Sequence, residues 1–266
     1  MRSVVRVMVP VLIVAIAAVI AAMWLGVTMS DLRHWGQPRN VLDVEGEQIR
    51  IPAPEGPTER RLPRVPVTTS GSHAFMFDEG SEPIRYDPCR RLEWVLNREG
   101  MPAGAEVLVH EAVASVQEAT GLEFSYQGTT TEPASFDREV IQERYGDGFA
   151  PIIVGFATES ENPELSGSVT GIGGSSAVYG AYGEEQYLRA GIVVLDSEDL
   201  NSLLFSIGGA DLVRAVIEHE LAHVVGLAHV QDAGELMNES NTRLTEWGPG
   251  DRQGLAILGA GPCEAP

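Results

Sequence analysis

The sequence predicts an α+β domain over residues 75–266, and three observations predict it. Strand-like patterns recur near 92–97, 122–126, 152–156 and 191–195. One helical pattern, near 105–119, interrupts them, and helical spacing takes over after the last strand. Strands with one helix among them, followed by helices, make an α+β layout rather than a regular βαβ alternation.

Each element has its own signal. Leu92, Trp94 and Leu96 alternate with Glu93, Val95 and Asn97, as in a half-buried strand. Val109, Val113 and Val116 fall at helical spacing, and Gly121 is the expected stop. Leu122 to Tyr126, Ile152 to Phe156 and Gly191 to Leu195 supply further strands. The glycines of the stretch Gly171 to Tyr179 suggest an edge strand or a rim loop. Its G-x-G-G does not make a dinucleotide site, because no helix follows immediately. Asp211, after Gly208 and Gly209, is the expected N-cap of a helix whose apolar face is Val213, Ile217, Leu221 and Val224.

The composition narrows the partners. Of 266 residues 44% are hydrophobic, enough for a sizeable core. A formal charge of −20 excludes a nucleic-acid binder, which needs a basic face. Arg2 and Arg6 precede an uncharged apolar run of 21 residues, Val7 to Val27. About 20 such residues span a bilayer, whereas a cleaved signal has an apolar core of about 7–15. Residues 1–27 are therefore expected to be a membrane-spanning signal anchor with the rest of the chain outside, the alternative being secretion after cleavage. Residues 28–74 read as a Pro-rich, extended stalk or a short propeptide. Two cysteines, Cys89 and Cys263, are expected to form one disulfide outside the membrane, two free thiols being the other reading.

The chemistry concentrates in HELAHVVGLAH. Three of six histidines fall here, His219, His223 and His229. His219 and His223 stand one turn apart on one helix face and can grip a single ion at about 2.0–2.1 Å. For His229 to join them the helix must end and the chain turn back, and Gly226 permits that turn. Three neutral imidazoles leave a fourth position for water, the arrangement of a catalytic zinc site. Glu220, beside His219, is the expected general base. Asp232 is a candidate to orient a ligand imidazole, with a solvated loop acid as the equal alternative.

These residues, His219, Glu220, His223, Gly226 and His229, followed by Glu235-Leu236-Met237, resemble the metzincin metallopeptidases, and among them the matrixins. The resemblance implies a zincin-like catalytic domain: a twisted mixed sheet, a zinc-binding helix bordering a cleft, and a small C-terminal subdomain. It places Met237 in a methionine turn beneath the metal. It implies a closing helix near Gly248 to Gly259 that brings Cys263 to Cys89. It also puts Gly171, Gly173 and Gly174 on the upper rim, where a substrate strand would add, and Asn238 to Trp247 around the pocket after the cut bond. The activity it implies is zinc-dependent cleavage of protein or peptide substrates by a monomer. A non-catalytic zinc and peptide-binding module is the competing reading. The sequence departs from the matrixin pattern in having Asn238-Glu239 after the methionine and in lacking the PRCGxPD latency sequence. Calcium is compatible with the many carboxylates, but no position is assigned.

Overall fold

The structure is a computed structural model, and it describes residues 29–44, 46–54, 58–79, 82–240 and 243–264, with Ala17, Trp24 and Val27. The expected membrane span, Val7 to Val27, otherwise lies outside the described residues. Among the described residues no helix is long and apolar enough to cross a membrane.

The centre is a five-stranded sheet built from β1 (Leu92–Leu96), β2 (Phe124–Thr129), β3 (Ile152–Ala157), β4 (Gly171–Tyr179) and β5 (Gln186–Asp196). Its strand order is β2-β1-β3-β5-β4. The first four strands of that order pair in parallel, and β4 runs antiparallel to β5 at the edge. The four strands and the edge segment expected from the pattern are thus present, with β5 starting five residues earlier than Gly191.

Among the described residues four longer helices accompany the sheet: α1 (Ala105–Thr120), α2 (Ser197–Leu204), α3 (Gly209–Val225) and α4 (Pro249–Leu258). Helices α1 and α3 cover one face, where Leu96, Val109, Val116, Leu195, Ile217 and Leu221 form the main core. The opposite face is also sealed. Val95, Ile153, Leu165, Ile192 and Val194 cluster there, with Ala134 packed against them. A sheet buried on both faces explains why β3 reads as a continuous apolar run rather than an alternation.

Helix α3 starts two residues before the expected cap. Gly208 takes φ 73° and turns the chain into the helix, so Asp211 sits in the first turn instead, where a carboxylate complements the helix dipole.

Residues 28–74, expected to be an extended stalk, pack onto the domain at several of their described positions. A hairpin of Val41–Val44 and Glu47–Arg50 leads to Ile51, which is buried against Val178 and Ala181. The Asn40 side chain donates to the carbonyls of Gly180 and Gly183, and Arg60 donates to Gly259. Ala74–Phe75 pairs with Leu227–Ala228, directly after α3. The local sequence has no periodicity, but it meets carbonyls and apolar sockets supplied by residues more than 100 positions away. Cys89 and Cys263 are joined by a disulfide across 174 positions, tying the start of β1 to the chain after α4.

Candidate metal centre and cleft

Helix α3 presents His219 and His223 one turn apart, and it stops at Gly226. That residue takes φ 114°, and its N–H donates to the carbonyls of Ala222 and His223. A φ this far positive is open to glycine and strained for other residues. The chain reverses there, pairs through Leu227 and Ala228, and delivers His229. The three Nε2 atoms face one another at 3.0, 3.0 and 3.2 Å.

The other ring nitrogens explain this convergence. His219 Nδ1 lies 2.8 Å from the Leu236 carbonyl and His223 Nδ1 lies 2.7 Å from the Leu227 carbonyl. A carbonyl only accepts, so each Nδ1 carries the proton and each Nε2 presents a lone pair. Two lone pairs at 3.2 Å repel unless a cation lies between them. In a tetrahedron with metal–nitrogen bonds of 2.0–2.1 Å the nitrogens are separated by about 3.3–3.4 Å, close to the spacing here. The donor set therefore fits a metal ion, and among the described residues these three are the histidines grouped so that they could hold one.

Electrostatics favour the ligating form. Burial lowers the His219 pKa to about 4, opposed by the Leu236 carbonyl. Burial, with the neighbouring His219 adding to it, lowers His223 to about 3. His229, though more exposed, is also lowered by burial, and Glu239 opposes this. Neutral imidazole is the species that binds a metal.

Glu220 lies on the neighbouring side of α3, buried against β4. Burial raises its carboxyl to about 8, and the Gly173 N–H, donating to the carboxylate, opposes that rise. Residues 171 and 173 share one face of β4, and that face meets Glu220. A Cβ on Gly171 would come within 2.7 Å of Glu220 Cγ, and one on Gly173 within 2.1 Å of the Glu220 carbonyl oxygen. Gly174 faces away, toward Phe136, so the three rim glycines divide between the two faces of the strand.

Met237 is buried, and its carbonyl accepts from Val230 N at 2.9 Å, one residue past His229. The loop is locked to α4 in both directions. Asp251 accepts the N–H groups of Leu236, Met237 and Gly248, while Glu235 accepts those of Gly250 and Asp251. Sequence reasoning missed Asp251, and it also missed the carbonyls of Leu227 and Leu236, which carry no side-chain signature. Asp232, the candidate orienting acid, accepts from Ser72 and Gly234 and makes no hydrogen bond to an imidazole among the described residues. Backbone carbonyls take that role.

A cavity of about 240 Å³ opens beside His219, Glu220 and His229. Val169, Leu212, Val216 and Leu244 line it, with Glu239 also contributing.

No family model matches this chain, and no curated protein matches it either. Among solved structures, one that is similar is the crystal structure of archaemetzincin from Methanopyrus kandleri. It is 17% identical, with 61% of this chain and 87% of that one covered and a TM-score of 0.33. At that level of likeness, the side chains of this chain are what define its site.

Proposed function

We propose that the chain is a zinc-dependent endopeptidase of the metzincin kind, matrixin-like in the spacing of its third histidine and its methionine turn. The observation that carries this is the facing of three Nε2 lone pairs at 3.0–3.2 Å, two of them fixed by backbone carbonyls, beside a buried glutamate. His219, His223 and His229 would hold the ion. Zinc bound there supplies Lewis acidity, polarising a carbonyl and making water a nucleophile near neutral pH.

The chain's own residues do the rest. Glu220, buried beside His219, would take the proton of the attacking water and return it to the leaving amine. Gly173 packs directly against the Glu220 backbone. The outer edge of β4 offers backbone hydrogen-bonding groups to an extended peptide, and the cavity bounded by Leu212 and Leu244 receives the side chain after the cut bond. We propose further that residues 1–27 tether the chain to a membrane, with the domain outside the cytoplasm.

Replacing Glu220 with Gln should leave zinc bound and lower peptide cleavage by orders of magnitude, and a chelator should abolish cleavage in the wild type. Unchanged cleavage in the variant would sink the mechanism. Zinc binding with no turnover on any unfolded protein would favour a peptide-binding module.

A further inference from the structure

The cavity beside the imidazoles is apolar along Leu212, Val216 and Leu244, yet the loop after Met237 brings one carboxylate into its lining besides Glu220. That residue is Glu239, which is exposed. Among the described residues no arginine lines the cavity, and the chain contains no lysine at all. No hydrogen bond or ion pair engages the Glu239 carboxylate among the described residues.

The wider field has the same sign. Between positions 99 and 266 there are 27 acidic residues and six arginines. Three of those arginines are committed to internal partners: Arg138 to Glu132, Arg189 to Glu264 and Arg214 to Glu218. The domain outside the metal group thus carries a negative excess, which attracts cationic ligands. Glu239 also lies outside the group of ligating atoms, which fall within 4.8 Å of one another, so its charge is not used to close the metal site.

We propose, on the peptidase reading above, that Glu239 is a specificity-determining residue that selects lysine or arginine immediately after the cut bond. The aliphatic stem of such a side chain would run along Leu212, Val216 and Leu244, and its cationic head would meet the Glu239 carboxylate. Lysine and arginine are built for such a site, with several methylenes to bury and a charge to keep hydrated or paired. A leucine would fill the apolar wall but leave the carboxylate without a partner. An acidic side chain would meet like charge. Basic peptides are also the ones that an acidic domain draws in by steering, so binding and encounter select the same substrates.

The test is a set of fluorogenic peptides identical except for Lys, Arg, Leu or Glu after the cut bond, assayed with the zinc-loaded protein. Zinc content and circular dichroism serve as folding controls. The wild type should cleave the Lys and Arg peptides at least tenfold better, in kcat/KM, than the Leu peptide. In Glu239→Gln the Lys-to-Leu ratio should fall about tenfold, and in Glu239→Arg the Glu peptide should overtake the Lys peptide. A folded Glu239→Gln whose Lys-to-Leu ratio matches the wild type overturns the role of Glu239, as does a wild type that prefers Leu, and either leaves the peptidase reading standing. A zinc-loaded wild type that cuts none of the four peptides counts against both.

Discussion

Gly173 approaches Glu220 so closely that a methyl group on it would lie 2.1 Å from the Glu220 carbonyl oxygen. Strand β4 and helix α3 meet backbone to backbone at this point, which keeps the Glu220 carboxylate within reach of the Gly173 N–H. In Gly173→Ala the strand must withdraw from the helix. Overpacking of this kind costs about 1–3 kcal/mol. Peptide cleavage should fall by tenfold or more, because the base and the rim move apart. Zinc affinity should change much less, since the atoms nearest a side chain at 173 belong to Glu220 and not to an imidazole. Urea unfolding, zinc titration and kcat/KM on the one variant separate the three effects. A Gly173→Ala protein with wild-type kcat/KM would show that the contact is incidental.

Gly226 is a different case, because its constraint is the backbone itself. At φ 114° an alanine is strained, and its Cβ would also press on Leu188 and Leu258 at 3.2 Å. Gly226→Ala should therefore lose about 1–3 kcal/mol of stability. It should also lose zinc, since the turn at 226 is what returns His229 to the other two histidines. Competition against a chromogenic chelator measures the second effect, and affinity equal to wild type would count against the turn's role.

The grouping of the three histidines was legible in the sequence for a physical reason. His219, Glu220 and His223 lie within two turns of one helix, where spacing alone fixes geometry, and Gly226 marks the only place the chain could turn back. Gly121 and the edge strand at 171–179 were legible by similarly local rules. What orients the imidazoles was not, because Leu227 and Leu236 act through carbonyls that every residue possesses. Asp232 looked suitable by proximity in sequence, but its carboxylate is drawn to Ser72, 160 positions away. The packing of the described residues between 29 and 79 was hidden for the same cause. Ile51, Asn40 and Arg60 gain their partners only once the sheet and α4 exist.

Asp251 should be a positioning residue for the metal. Its two oxygens accept three backbone N–H groups, from Leu236, Met237 and Gly248, and the Leu236 carbonyl in turn orients His219. Asparagine offers one acceptor oxygen and turns an NH₂ toward the remaining donors. Asp251→Asn should thus lose about 1–3 kcal/mol for the buried donors left unpaired. Its zinc affinity should also weaken by roughly 10–100-fold, the usual effect of disturbing groups that hold a ligand from behind. Loss of stability with unaltered zinc affinity would confine Asp251 to holding α4 in place.

Glu132 and Arg138 form a buried pair on the far side of the sheet, with Tyr145 and Gln142 also donating to the carboxylate. Arg138 reaches as well to the carbonyls of Pro151, Ala190 and Gly191, where β5 bulges and Ala190 takes φ 48°. Burial alone would raise the Glu132 pKa, but hydrogen bonds from Arg138, Tyr145 and Gln142 outweigh it and hold the carboxyl below its ordinary value. That direction sets the sign of the pH effect. A carboxyl with a depressed folded-state pKa contributes stability that is present above about pH 4.5, its unfolded value, and is lost as pH falls through the folded value. Arg138→Leu would leave the carboxylate buried without its cation and should destabilise the fold by about 3–5 kcal/mol at pH 7. It should also flatten the stability profile between about pH 5 and 3, since the charged form is no longer favoured by the fold. Denaturant unfolding of both proteins at a series of pH values gives the difference directly. A difference that stays constant down to about pH 3 would mean that the pair contributes packing and not charge.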